Sequence, residues 1–193
     1  MTLEIPYRFM DRSGSQKYSK LIVIGDSISA GSLGPNERTW PKQFREKYKI
    51  NVVDLSQAGA TTRSALKQAE RIQHRKGIVL IEIGGNDFFG ETTSAEFERD
   101  LAELLRSLRH PQSKLVMIEL PLPPFFNEFG RIQRKIAEDY GVTLIPRRRL
   151  MEVLATDGAT IDTIHLTEKG HQLMAEMIWR QIGQYLEFDQ NSG

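Results

Sequence analysis

The 193-residue sequence contains no cysteine. This absence excludes disulfide bonds, thiolate-ligated metal sites and a cysteine nucleophile. A surplus of either charge is also missing, because 26 lysine and arginine residues stand against 25 aspartate and glutamate residues. The formal net charge of +1 creates no long-range field that would attract nucleic acid or an anionic membrane surface. We therefore predict no nucleic-acid partner.

Long apolar stretches are absent as well. No segment approaches the roughly 18 apolar residues that a membrane-spanning helix requires, so no membrane span is predicted. Residues 1–19 are polar and contain no apolar core of signal-peptide length. The default expectation is a cytoplasmic protein, with export as the alternative if a leader peptide has been removed. The sequence carries no signal for an oligomeric state.

Short apolar runs are present, and they are rich in valine, isoleucine and leucine. Such continuous runs are typical of strands that are covered on both faces, as in a parallel sheet. They predict strands at 21–24, 52–55, 78–83, 115–120 and 142–145. Helical periodicity between and after them predicts helices at 40–48, 62–73, 94–109, 129–140 and about 168–186.

The alternation of strands and helices predicts a three-layer α/β/α sandwich formed by one domain over residues 20–188. We expect a partly ordered N-terminal extension at 1–19 and a flexible tail at 189–193. Pro41 is predicted in the first turn of its helix, and Ser94 and Thr167 are predicted N-caps. The basic cluster at 147–149 is predicted to begin a helix, with an anion site as the alternative.

Small and polar residues follow the strands, where ligands bind in open parallel sheets. The first such loop carries Ser27 in the stretch Gly-Asp-Ser-Ile-Ser-Ala-Gly at 25–31. A serine there could be a nucleophile, a helix N-cap or a phosphate ligand. A phosphate-binding loop would require a Lys-Ser/Thr pair after the glycines, and this stretch has none. The glycine spacing also does not match a dinucleotide-binding fingerprint.

Asp162 and His165 favour the nucleophile. A serine hydroxyl needs a base to take its proton, and that base needs a partner that fixes its tautomer. In Asp-x-x-His the carboxylate can accept from one imidazole nitrogen while the other faces the serine. Glu168 and His171 have the same spacing and are the rival pair, although Glu168 is also expected at a helix start because of the helix dipole.

An oxyanion requires hydrogen-bond donors, and three candidates follow predicted strands. These are the backbone amides of Ser27 and Gly59 and the side-chain amide of Asn86. Glycine at position 59 would let the backbone approach a ligand closely. Asn86 lies in Gly84-Gly85-Asn86-Asp87 and could instead be a turn former, with Asp87 bracing that turn.

These blocks resemble, in order, the four sequence blocks of the SGNH (GDSL-type) hydrolases, over about residues 20–186. The segment 82–87 and Trp40-Pro41 look most like the bacterial lysophospholipase, thioesterase and arylesterase branch. Two departures concern only the subfamily: Ile28 stands where the motif has leucine, and Leu166 follows His165 where many members have proline.

The resemblance implies a flavodoxin-like fold with sheet order 2-1-3-4-5. It implies Ser27 as the nucleophile, Asp162 and His165 as the rest of the triad, and Ser27, Gly59 and Asn86 as the oxyanion hole. Asp26 and Asp87 are expected to support these groups.

The predicted activity is that of a serine esterase or acyl hydrolase. It would act through an acyl-serine intermediate on a small or lipid-like acyl ester, or on a thioester, without a metal or cofactor. Four phenylalanines are predicted either to rim an apolar acyl pocket or to pack in the core: Phe88, Phe89, Phe125 and Phe126. The alternatives are a carbohydrate O-deacetylase of the same family, a non-catalytic binding module and a flavin or nucleotide binder.

Overall fold

Five short strands form a parallel sheet in the computed structural model, which describes residues 16–122 and 127–187. The strand order is β2-β1-β3-β4-β5, and every neighbouring pair is parallel. The strands are β1 (Lys20–Gly25), β2 (Asn51–Asp54), β3 (Gly77–Glu82), β4 (Ser113–Ile118) and β5 (Thr143–Ile145). The predicted fold class and strand order are therefore confirmed.

Helices cover both faces of the sheet. They are α1 (Ser27–Ala30), α2 (Trp40–Tyr48), α3 (Thr62–Glu70), α4 (Gly85–Phe89), α5 (Ser94–Leu108), α6 (Asn127–Asp139), α7 (Arg147–Leu154) and α8 (Glu168–Ile182). A 3-10 turn, Gly183–Tyr185, follows α8. The basic cluster at 147–149 forms the first turn of α7, as predicted. The helices α1 and α4 were not predicted, because segments of one turn show no hydrophobic period.

The sheet separates two hydrophobic cores. Alternate side chains of a strand point to opposite faces, so Leu21 and Val23 of β1 lie in one core and Ile22 and Ile24 in the other. The first core is completed by α2, α7 and α8, and the second by α3, α5 and α6. Both faces of the strand are therefore buried, which is why its sequence is continuously apolar.

The helix ends differ in places from the prediction. Thr93, rather than Ser94, is the N-cap of α5: its hydroxyl accepts from the N–H of Glu96, and the Glu96 carboxylate accepts from the N–H of Thr93. This reciprocal capping box satisfies two backbone donors at once. The predicted cap at Thr167 is confirmed by the hydrogen bond from the N–H of Gly170 to its hydroxyl.

The described part of the N-terminal segment contacts the end of the domain. The N–H of Tyr18 donates to the carbonyl of Tyr185 over 2.8 Å, and the N–H of Glu187 donates to the carbonyl of Tyr18 over 2.9 Å. The Tyr18 side chain is buried in the first core. Within the ranges 16–122 and 127–187, no helix has the length and apolarity needed to cross a membrane.

Candidate active site

Ser27 lies at the first position of α1, immediately beyond the carboxyl end of β1. The cap of α1 is Asp26, whose carboxylate accepts from the N–H of Ile28 over 3.0 Å. The hydroxyl of Ser27 is thus not used as the cap and remains half-buried at the head of the helix. A first-position N–H has no acceptor within its own helix, so the amide of Ser27 is also a donor for a ligand.

Three side chains form a hydrogen-bonded chain that ends at Ser27. The distance from His165 Nδ1 to Asp162 Oδ2 is 2.7 Å, and the distance from His165 Nε2 to Ser27 Oγ is 3.1 Å. A carboxylate only accepts hydrogen bonds, so Nδ1 carries the hydrogen and donates it to Asp162. The lone pair of Nε2 then accepts from the Ser27 hydroxyl.

Asp162 also holds the backbone of its own loop. Its Oδ1 accepts from the N–H groups of Ile164 and His165 over 3.2 and 2.9 Å. The intervening Thr163 has a φ of +78°, which is uncommon for a β-branched residue. Hydrogen bonds from the ring and then from the backbone of His165 lower the pKa of Asp162 to about 2, so this side chain is an anion at neutral pH.

The rival pair does not form. The Nε2 of His171 donates to Glu37 Oε1 over 2.9 Å, and its Nδ1 accepts from the N–H of Trp40 over 3.2 Å. The imidazole is fully buried, and burial lowers the pKa of His171. Glu168 instead pairs with Arg38 on the surface. The sequence analysis missed Glu37, because 134 positions separate it from His171 and no local pattern links them.

Asn86 connects the loops that follow β1 and β2. Its side-chain amide nitrogen donates to the carbonyl of Ala60 over 3.0 Å and to Asp26 Oδ2 over 3.2 Å. Gly59, next to Ala60, has a φ of +76°, and a side chain added there would meet nothing within 4 Å. Its backbone is therefore open to a ligand, and its left-handed conformation favours glycine.

Asp87 fixes the position of α4. Its two carboxylate oxygens accept from the hydroxyl and the N–H of Thr62, over 2.7 and 2.8 Å. These contacts anchor the turn of Asn86 to the N-terminus of α3. Burial raises the pKa of Asp26 to about 6, and Asp26 lies between this turn and Ser27.

Of the four phenylalanines predicted for the pocket, the two that the structure describes differ in burial. Phe88 is half-buried and contacts Phe129 edge-on at 5.8 Å between ring centroids, and Phe129 in turn packs against the buried Phe97. Phe88 therefore belongs to the edge of the second core. Phe89 is 69% exposed. Phe125 and Phe126 lie outside the described residues.

Two exposed apolar side chains were missed by the sequence analysis. Leu33, in the loop that follows α1, is 68% exposed, and Ile161, directly before Asp162, is 52% exposed. With Phe89 at the end of α4, each exposed side chain lies on a segment that also carries a candidate site residue. Isolated apolar residues between polar neighbours give no sequence signal, because exposure depends on the fold.

The described ranges contain no group of three or more histidine and carboxylate side chains that is arranged to hold a metal ion. The carboxylates near Ser27 are instead engaged with N–H and hydroxyl donors of the protein, such as the amide of Asn86 and the backbone of His165.

Most of the chain is similar to a known family of proteins. Residues 23–173 match the model of the GDSL-like Lipase/Acylhydrolase family. The chain belongs to this family. The matched range contains every candidate of the triad and the oxyanion hole. This GDSL-like acylhydrolase is a carboxylic ester hydrolase.

Individual relatives agree with this assignment. The acylhydrolase is 26% identical over 186 residues to an arylesterase of Vibrio mimicus. The aligned residues cover 90% of this chain and 93% of the relative. It is 26% identical over 178 residues to thioesterase 1/protease 1/lysophospholipase L1 of Escherichia coli strain K12, covering 88% and 86% of the two chains. The structure of the esterase EstA from Pseudoalteromonas sp. has the same fold, with a TM-score of 0.76, 21% identity and coverage of 86% and 98%.

Proposed function

We propose that this acylhydrolase is a serine esterase that works through a covalent acyl-serine intermediate. The observation that carries the proposal is the chain of hydrogen bonds from Asp162 through His165 to Ser27, at 2.7 and 3.1 Å. It contains a nucleophile, a base in the required tautomer and an anion that holds this tautomer.

In the acylation step, His165 Nε2 takes the hydroxyl proton as Ser27 Oγ attacks the ester carbonyl carbon. The new Oγ–C bond converts the carbonyl oxygen into an oxyanion, and the ionised Asp162 stabilises the imidazolium. Collapse of the tetrahedral intermediate breaks the bond to the leaving alcohol, which takes the proton from Nε2. An acyl-serine and a neutral His165 remain.

In the deacylation step, water takes the place of the alcohol. His165 Nε2 accepts a proton from the water as its oxygen attacks the acyl carbon. When the second tetrahedral intermediate collapses, the proton returns to Ser27 Oγ and the carboxylic acid leaves. The protein is restored, and one water molecule is consumed for each ester that is cleaved.

The oxyanion is proposed to accept from the N–H of Ser27, the N–H of Gly59 and the amide of Asn86. The side-chain amide nitrogen of an asparagine carries two hydrogens and can donate two hydrogen bonds. Ala60 and Asp26 are both within hydrogen-bond distance of the Asn86 side-chain nitrogen. We propose that the bond to Ala60 orients Asn86, while the longer bond to Asp26 yields to the oxyanion.

The proposed substrate is an ester or thioester with an apolar acyl group. Leu33, Phe89 and Ile161 expose apolar surface on the segments that carry the site, and an acyl chain laid against them would remove this surface from water. The names of the Vibrio and Escherichia relatives include arylesterase, thioesterase and lysophospholipase activities, which act on esters and thioesters.

The covalent mechanism can be tested with a fluorophosphonate probe, which forms a stable bond only with an activated serine. The expected result is one label per chain, found by mass spectrometry in the peptide that contains Ser27. The Ser27→Ala variant should remain unlabelled. A wild-type protein that stays unlabelled would favour a non-catalytic binding module on the same fold.

Acyl-chain preference tests the proposed substrate class. A buried methylene contributes about 0.8 kcal/mol, so kcat/KM for p-nitrophenyl esters should rise by up to about fourfold per methylene from acetate to hexanoate. Phe89→Ser should flatten this rise, whereas Met151→Ser, which alters a 49% exposed side chain on α7, should not. A preference for acetate that improves further on acetylated sugars would contradict the proposal and support a deacetylase.

A further inference from the structure

Glu82 is a buried carboxyl group beneath the site. It is the last residue of β3, pairs in register with Gly25 of β1 and is 2% exposed. A carboxyl group removed from water is costly unless hydrogen bonds compensate it. The described triad does not include Glu82, so its presence in the sheet needs another explanation.

Two donors on either side of Ser27 converge on Glu82. The Ser29 hydroxyl donates to Glu82 Oε2 over 2.8 Å, and the backbone N–H of Asp26 donates to the same carboxyl group. Trp40 Nε1 donates to the Ser29 hydroxyl over 3.1 Å, so the hydroxyl hydrogen is left to point at Glu82. One side chain thereby holds the residue before the nucleophile and the residue two positions after it.

The packing around this contact leaves no spare room. A Cβ placed on Gly25 would lie 2.7 Å from Ser29 Oγ and 3.2 Å from Glu82 Oε2. Glycine at position 25 thus provides the space in which the serine hydroxyl and the carboxyl group meet. The Gly25 backbone is fixed in addition by the side chain of Gln68, which accepts from its N–H and donates to its carbonyl.

We infer that Glu82 is a positioning residue for the reaction, which holds the Asp26–Ser29 turn so that Ser27 Oγ meets His165 Nε2. The inference rests on the proposed role of Ser27 as the nucleophile. Glu82 acts through the turn rather than on the substrate. Displacement of a nucleophile by about 1 Å can lower the rate by about 10²-fold, so this support has a measurable effect on turnover.

Substitution of Glu82 gives the inference a sharp test. Burial, and then the neighbouring Asp26, raise the pKa of Glu82 well above its usual range, which favours the uncharged form of the carboxyl group. A glutamine has nearly the same shape and retains a carbonyl oxygen that can accept from the Ser29 hydroxyl. Leucine has a similar volume but leaves both donors unpaired.

The experiment compares Glu82→Gln and Glu82→Leu by kcat, KM and the rate of fluorophosphonate labelling, each below the variant's unfolding temperature. We expect Glu82→Gln to stay within about threefold of the wild type. Glu82→Leu should lose about 10- to 100-fold in kcat and in labelling rate, with KM nearly unchanged. Leu108→Ala, in the core at the far end of α5, is the control for lost stability alone and should retain kcat.

Ser29→Ala provides the same test with a smaller change, in case Glu82→Leu does not fold. It removes the hydroxyl link and should slow labelling, and the double variant with Glu82→Gln should be labelled about as slowly as Ser29→Ala alone. A Glu82→Leu or Ser29→Ala variant that is labelled at the wild-type rate would overturn the inference, and so would a Glu82→Gln variant as slow as the leucine variant. An unlabelled wild type would overturn the proposed function itself.

Discussion

Replacing Ser27 with alanine is expected to lower kcat for an ester substrate by about 10⁵- to 10⁶-fold. The change removes the proposed nucleophile and leaves His165 Nε2 without its hydroxyl donor. Stability should be nearly unchanged, because the cap of α1 is Asp26 and not Ser27. Initial rates with a p-nitrophenyl ester and thermal unfolding of the same preparation measure both quantities.

The controls for this result are simple. Ser32→Ala alters a serine of the following loop whose contact with Glu37 uses the backbone N–H, so it should keep wild-type activity. Titration of the Ser27→Ala preparation with the fluorophosphonate probe measures any contaminating hydrolase. Retention of more than about 1% of the wild-type kcat without such contamination would contradict the role of Ser27 as nucleophile.

Replacing Asp162 with asparagine is expected to lower kcat by about 10³- to 10⁴-fold. The asparagine amide would donate to His165 Nδ1 and favour the tautomer whose hydrogen lies on Nε2, which cannot accept the serine proton. Asp162 is 54% exposed, so water can replace part of the lost contact and the effect should fall toward the lower end. The loop should persist, because asparagine retains an oxygen for the N–H groups of Ile164 and His165.

The pH profile adds a second readout to this substitution. The pKa of Asp162 is lowered to about 2, so its stabilising charge is present above this value and is lost only as the pH falls through it. Titration of Asp162 should therefore contribute nothing to the pH dependence of the wild-type kcat between about pH 5 and pH 9. Glu168→Gln, in the excluded rival pair, should have wild-type activity. A loss below tenfold in Asp162→Asn, or a large loss in Glu168→Gln, would contradict the assignment of the pair.

Several features of the candidate site follow from local sequence. The continuous apolar runs require strands covered on both faces, and alternation with helices requires parallel strands. All strands of such a sheet point the same way, so residues that follow different strands share one edge. Ser27, Gly59 and Asn86 could be grouped in this manner, and the Asp-x-x-His spacing paired Asp162 with His165.

At two helix starts, the residue that caps the helix is not the serine that the sequence also allowed as a cap. Ser94 is a good capping residue, but Thr93 also has Glu96 three positions later and forms the reciprocal box. Ser27 could equally have capped α1, but the carboxylate of Asp26 takes this role and frees the hydroxyl. In both cases two adjacent residues can perform the same local task, and the surrounding contacts decide between them.

The amino-acid sequence by itself determined the strands, their parallel arrangement and the residues collected at the carboxyl edge of the sheet, because these depend on periodicity and chain direction. Only the tertiary structure decided that His171 pairs with Glu37, that the Ser29 hydroxyl donates to Glu82 and that Leu33, Phe89 and Ile161 remain exposed. The physical reason is that burial and long-range hydrogen bonds join residues far apart in the chain. Local sequence periodicity does not predict which buried polar groups will form hydrogen bonds with each other.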